Sequence, residues 1–293
     1  MKNLDLNTFP TIDKKQWLQL AQKQLKGANP INQLAWENDA NLALEGYYDQ
    51  SDIANLKYLE DFFTTLSPHQ WKLYESIEAS ESEIANKKAL MALMGGCDGV
   101  ILENPNPNEL NIILRDVNQE ICDINILADT DLGIGPKFTG FHKYPNGDCS
   151  SSYEKKNSIS QLTELLNNIN GKSCIHRIAL SDFFLEIATV RALRYLLDQM
   201  SLKKIHIHSE IPLHGSEEHQ LFLNTTAGLA SILGGSHSIN LSTATHDSRI
   251  SRNIGNLIRE ESGIETYSDQ CGGSYYIEVL TDKIIKQVTE KLK

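Results

Sequence analysis

From Glu83 to the C-terminus, short apolar runs alternate with longer amphipathic ones, and this alternation constrains the fold more than any other feature of the chain. Apolar residues at helical period predict helices over 84–94, 108–118, 183–200, 217–233, 249–262 and 275–292. Between them, 98–102, 121–127, 175–180, 204–211 and 238–241 read as strands. Gly95-Gly96 and Gly234-Gly235 stop two of the helices, and Ser216 is placed to cap the one that follows it. The helix over 183–200 should bury Leu185, Ala188, Ala192, Leu193, Leu196, Leu197 and Met200. The helix over 249–262 should turn Ile250, Ile254, Leu257 and Ile258 inward, and the last helix Leu280, Ile284, Ile285, Val288 and Leu292.

Strands alternating with helices make a parallel α/β sheet or barrel. Five or six such units can be counted, whereas a complete eight-unit barrel takes about 250 residues. The expected fold is therefore a TIM-barrel-like (β/α) barrel over 81–293, incomplete or shortened, preceded by an extended N-terminal arm over 1–80. Within the arm, 17–25 reads as a helix stopped by Gly27, Asn29 and Pro30, 34–48 as extended chain, and 52–63 as a helical piece. Its anchors Phe9, Trp17, Leu25, Trp36 and Tyr47 are too many to leave in water, so the arm is expected to contact another chain. Residues 128–160, rich in Gly, Pro and Ser, interrupt the alternation and read as connecting loop, without a phosphate-binding glycine fingerprint.

The formal net charge of −11 argues against a nucleic-acid grip. The five cysteines, Cys97, Cys122, Cys149, Cys174 and Cys271, share no C-x-x-C spacing and fit reduced, buried thiols. The first ten residues lack a signal-peptide design, and no apolar run reaches the ~20 residues of a membrane span, so a soluble cytoplasmic protein is expected.

Several clusters invite a chemical reading. His206 and His208 share one strand face, and His214, Glu218 and His219 follow; the spacing is not that of H-E-x-x-H, and barrel-lining or surface histidines are favoured over a metal. Arg249, Arg252 and Asn253 open a helix. They would touch a ligand phosphate or a partner, or be salt-bridged to Glu260, Glu261 or other acids and so hold two barrel segments together, which is the favoured alternative. Gly272 and Gly273 before Tyr275 fit a turn that locks the last element, in preference to a ligand nest. Asp129 and Asp131 could be acid–base groups, though loop solvation is favoured.

The C-terminal runs RISRNIGNLIREESGI (249–264) and DQCGGSYYIEVLT (269–281) are similar to a signature of the methylmalonyl-CoA mutase family in order, in spacing and in the rare GGSYY string. EIATVRALRYLL (186–197) and NTTAGLASILGGSHS (224–238) resemble two further family segments. The N-terminal pattern of Phe9-Pro10, Trp17, Leu25-Lys26-Gly27 and Leu34-Ala35-Trp36 resembles the small, non-catalytic subunit more than the large one. HIHSE (206–210) looks like the family strand whose His and Gln face corrin and substrate: His208 matches, while Glu210 replaces the Gln. Asn240 stands where the family has a His.

The resemblance implies a TIM barrel and a radical carbon-skeleton rearrangement between methylmalonyl-CoA and succinyl-CoA, with adenosylcobalamin in the family complex. The departures run the other way. The family's Q-N-D-x-L-K-E and S-G-Y-H segments are absent, its P-W-x-I-R-Q-Y reads QWKLYES at 70–76, and no D-x-H-x-x-G is present. The expectation is a small subunit without its own cobalamin-binding domain, binding no cofactor alone and paired as a heterodimer with a large catalytic mutase subunit. Acyl-CoA is a possible ligand; nucleic acid and membrane are not expected. Two alternatives stay open: the catalytic barrel half of a mutase whose cobalamin domain lies on a separate chain, and a degenerate, free-standing ligand-binding barrel. His208, Glu210 and Asn240 are the substrate- or cofactor-facing candidates, read as vestigial; Trp17, Trp36, Arg249, Arg252, Asn253, Gly272, Gly273 and Tyr275 are the structural or interface candidates.

Overall fold

Asp13 and Gln16 form a capping box that starts α1 (Lys14–Gln24), the first element of a computed structural model describing residues 12–62, 70–127, 157–169, 173–178, 182–202, 205–243 and 248–293. Phe9 of the expected arm anchors, most of the glycine-rich stretch, and Asp129 and Asp131 lie outside the described residues. After α1 come α2 (Pro30–Leu34), capped by Asn29, the small antiparallel pair β1 (Trp36–Glu37) and β2 (Ala43–Leu44), α3 (Gln50–Ile53) and α4 (Lys57–Phe62).

The body follows in strict alternation: β3 (Lys72–Glu78), α5 (Ser82–Met94), β4 (Gly99–Glu103), α6 (Leu110–Ile113), β5 (Asp123–Leu127), α7 (Ser158–Asn168), β6 (Ser173–Arg177), α8 (Phe183–Gln199), β7 (His206–Ile211), α9 (Glu217–Gly234), β8 (Ser238–Leu241) and α10 (Arg249–Ser262). A last helix, α11 (Tyr275–Leu292), packs across α8 and α7.

Six strands form one parallel sheet in the order β5-β4-β3-β8-β7-β6. The first strand of the body pairs with the last, Lys72 opposite Ser238 and Tyr74 opposite Asn240. First-to-last pairing is how a (β/α) barrel closes. Among the described residues the sheet runs from β5 through the β3–β8 seam to β6, which are its edges. This is an incomplete TIM-like barrel, curled as a half-barrel.

Three expectations are corrected. Lys72–Glu78 falls inside the stretch assigned to the arm, yet it sits at the centre of the sheet. The helix expected over 108–118 shrinks to a 3₁₀ turn and α6, because Asp116 adopts φ +64° and turns the chain. On α10 the inward face is Ser251, Arg252, Gly255 and Ile258, while Ile250 is 41% and Leu257 59% exposed. Small residues belong on that face: a Cβ built on Gly255 would lie 2.6 Å from a methyl carbon of Leu73, so the helix approaches Leu73 of β3 closely where it has no side chain.

Side chains alternate across the strands. The outward set, with Leu73, Ile77, Val100, Leu102, Ile124, Ile126, Ile239 and Leu241, packs beneath the helices into one core with Ala85, Ala89 and Ala92 of α5. A second core joins α7, α8 and α11 through Leu162, Leu193, Leu196, Leu280 and Ile284. Leu42, Leu44 and Tyr58 of the N-terminal segment are buried in that second core, so part of the arm wraps its own chain.

Candidate functional site

The concave face of the sheet carries the chemistry-bearing side chains. Tyr74 of β3, Ile101 of β4, Leu127 of β5 and Ile175 of β6 pack together there, so side chains from both edge strands meet over the middle of the sheet. Rings from β7 close one side of this cluster: Tyr74 stacks on His208 with centroids 5.8 Å apart and on His206 at 6.4 Å. The Tyr74 hydroxyl donates to Asp123 at 2.6 Å, and Lys72 Nζ lies 2.5 Å from the same oxygen. Burial and the Asp123 carboxylate push the Tyr74 phenol above its usual pKa.

Ser238 fixes the two histidines. Its Oγ lies 2.8 Å from His206 Nε2 and 2.8 Å from His208 Nδ1. One hydroxyl proton and two lone pairs let Ser238 serve both rings at once. His208 is 1% exposed, and burial, with His206 beside it, lowers its pKa from 6.5 to about 3. It is a neutral imidazole at any physiological pH. His237 belongs to the same corner: its Nδ1 accepts from the Ile207 amide at 3.0 Å, and its ring lies 5.3 Å from that of His206.

Toward the C-terminal ends of the strands the concave face becomes acidic. Glu78 is in register with Glu103, and Glu210 with Asn240. Asn240 donates to Ser76 Oγ at 3.1 Å. Active sites of (β/α) barrels lie at this end. Here it carries Glu78, Glu103 and Glu210, with Arg177 of β6 in register beside Glu210. Of the substrate- or cofactor-facing candidates, His208 and Asn240 lie on this face beside Glu210. His208 is buried under Tyr74 and held by Ser238, and Asn240 is held by Ser76.

Of the other candidates, Arg252, Gly273 and Trp17 make contacts within the fold. Arg252 Nη1 meets Glu75 Oε2 at 2.7 Å, joining α10 to β3 across the barrel seam; the acid is Glu75, not Glu260 or Glu261. Asn253 is exposed, whereas Asn256 donates to the Gly95 carbonyl at 2.9 Å. Arg249 and Gly272 are exposed, and Tyr275 is partly so. Gly273, at φ +83°, donates its amide to Glu278 at 2.9 Å in the turn ahead of α11. Trp17 stacks on Tyr47 at 5.2 Å, while Trp36 is 46% exposed.

Sequence reasoning missed what the motif residues do. Arg191 of α8 is 1% exposed; its Nη1 lies 2.7 Å from both carboxylate oxygens of Asp269, and its Nη2 3.0 and 3.1 Å from those of Glu278. Tyr58 donates to the Glu278 carboxylate from the N-terminal segment. Burial works against the Arg191 charge, yet Glu278 and Asp269 outweigh it and raise its pKa. Glu186, also buried, faces His176 of β6 at 3.4 Å. Asn224 donates to the Ser242 carbonyl at 2.8 Å and to Ser251 Oγ at 3.1 Å, joining α9 to the segment after β8 and to α10. The motif letters thus stitch elements together. The available signal was a charged Arg inside the apolar stripe of a helix, which requires a buried acidic partner.

Residues 175–293 match the family model described as methylmalonyl-CoA mutase. Over 134 residues the chain is 29% identical to a probable mitochondrial methylmalonyl-CoA mutase of Caenorhabditis elegans, an alignment covering 38% of this chain and 18% of that protein. Over 127 residues it is 31% identical to a methylmalonyl-CoA mutase of Escherichia coli (strain K12), covering 36% and 18% respectively. The matched part therefore spans less than a fifth of the length of these relatives.

Proposed function

Because the chain belongs, through residues 175–293, to the methylmalonyl-CoA mutase family, we propose that it is a non-catalytic barrel subunit of an acyl-CoA isomerase, supporting a large catalytic chain in a cytoplasmic heterodimer. The observation that carries this reading is the state of His208. A residue that positions a substrate carboxylate or a corrin must present a polar edge or a charge to it. His208 instead spends Nδ1 on Ser238, lies under Tyr74 and stays neutral. Glu210 places a carboxylate where the family has an amide.

The radical chemistry belongs to adenosylcobalamin, which in this reading is held by the partner chain. This chain's own residues keep a barrel wall in shape. Arg191, Asp269 and Glu278 lock α8 to α11, and Arg252 with Glu75 locks the seam. A rigid wall of this kind holds a neighbouring barrel in position without touching the reacting atoms.

Affinity isolation of the native complex, with corrinoid and subunit content measured, tests the proposal. A large mutase chain should co-purify carrying the corrinoid, and the separated 293-residue chain should hold none. Stoichiometric corrinoid on the isolated chain would overturn it.

A further inference from the structure

Leu42, Leu44 and Tyr58 of the N-terminal segment turn into the core, whereas Ile12, Leu20, Ile31, Leu34 and Trp36 are between 39% and 57% exposed. These side chains belong to one surface. The Tyr47 hydroxyl donates to the Ile12 carbonyl at 3.0 Å, and the Tyr47 ring stacks on Trp17. A Cβ built on Gly46 would meet Leu34 at 3.3 Å and Trp17 at 3.6 Å, so α1 and α2 converge there. Leu20 lies one turn from Trp17 on α1, Ile31 one turn from Leu34 on α2, and Trp36 follows α2 in register with Leu44. A contiguous exposed apolar surface of this kind marks an interaction site.

Charge is segregated along the chain. Residues 1–36 hold five lysines and two aspartates, a net +3, so that in a chain at −11 the remainder stands at −14. Lys14 is spent on Glu45 and Asp52. Lys15, Lys23 and Lys26 are exposed along α1 and at its end, with no acid bonded to them among the described residues. Lys15 stands in the first turn of α1, where the macrodipole disfavours a cation, so its own helix does not account for it. Of the bordering acids, Asp13 caps α1, and the exposed Glu37 and Asp39 lie beyond Trp36. The basic part of the surface is therefore α1, and the apolar part α2 with Trp36.

Given the heterodimer read above, on which this rests, we propose that the surface of α1, α2 and Trp36 docks the large chain. The docking face of that chain is then acidic opposite α1 and apolar opposite α2 and Trp36. Burial of Trp36 and the leucines supplies the affinity, and the lysines on α1 fix the orientation. A second copy pairing through the same surface would set lysines against lysines. A copy gripping the acidic body of its neighbour would build an open chain instead of a closed pair. An anionic membrane would attract the three lysines and repel the far larger negative charge behind them.

Titration of the full chain against the purified large mutase chain at low and high salt tests this, with far-UV circular dichroism to verify folding of each variant. Wild type should bind with a dissociation constant that rises with salt. Leu20→Glu and Trp36→Glu should each raise that constant at least about tenfold. Combined Lys15→Glu, Lys23→Glu and Lys26→Glu should do the same at low salt and lose most of its effect at high salt. The chain alone should sediment as a monomer and leave vesicles of phosphatidylserine and phosphatidylcholine unbound. Variants that all bind the large chain as wild type does overturn the docking surface and leave the heterodimer standing. A wild-type chain that binds no large chain overturns both. Self-association or vesicle binding that these substitutions abolish also overturns the proposal, because the surface then has a different occupant.

Discussion

Arg191 and Glu278 face each other between α8 and α11 at 3.0 Å, with side chains 2% and 0% exposed. Water cannot stand in for either partner, so removing one leaves the other charged and buried. Such losses cost about 3–5 kcal/mol. Arg191→Met and Glu278→Gln should each lower stability by an amount of that order, read as a shift in urea midpoint. A loss below about 1 kcal/mol in both would show that the cluster is not what holds α8 to α11.

Tyr58→Phe probes the same cluster more gently. It removes one hydroxyl donor from the Glu278 carboxylate and leaves the ring, packed edge-on at 5.7 Å from Tyr195, in place. Loss of a hydrogen bond to a charged group costs about 1.5–3 kcal/mol. The chemical melt of this variant should fall short of the damage done by Arg191→Met; equal damage would contradict the assignment of Arg191 as the centre.

The pH dependence follows from His208. Its folded pKa of about 3 lies below the ordinary 6.5, so between those values the unfolded chain binds one more proton than the native one. Stability is therefore fully present above pH 6.5 and is lost as pH falls toward 3, with a slope of up to about 1.4 kcal/mol per pH unit from this group. Denaturant midpoints between pH 4 and 7 should fall less steeply for His208→Gln than for the wild type. Parallel curves for the two proteins would contradict the buried, neutral imidazole.

Much of this architecture could be read from the order of residues. Arg249–Ser262, Tyr275–Leu292 and Ser238–Leu241 were predictable to the residue, because their apolar runs are bounded by glycine and polar residues. Strand β3 was not legible. Its concave side is lined by Lys72, Tyr74, Ser76 and Glu78, so the run has too few apolar residues to mark a central strand. The α10 stripe was right for Ile254 and Ile258, which pack into the core, and wrong for Ile250 and Leu257: close approach to Leu73 puts Ser251 and Gly255 on the buried side and turns those two outward. At the candidate site, shared strand parity placed His206 and His208 together. Ser238 is 30 residues further along, and nothing in a linear pattern pairs it with His208.

Gly255 gives a direct test of that close approach. Gly255→Ala improves intrinsic helix propensity yet brings a Cβ within 2.8 Å of two carbons of Leu73. Overpacking of this kind costs about 1–3 kcal/mol, which outweighs the propensity gain of roughly 1 kcal/mol. A lowered melting temperature is the expected outcome, and a raised one would place α10 further from β3.

The central claim is that this barrel wall supports catalysis without taking part in it, and turnover of the reconstituted mutase complex carrying His208→Ala tests it most directly. If His208 is structural, turnover per assembled complex should stay within a few-fold of wild type, whatever stability is lost. A positioned polar contact to substrate or cofactor would instead be worth about a hundredfold. A fall of that size, with folding and assembly intact, would contradict the account and place this chain's concave face in the reaction.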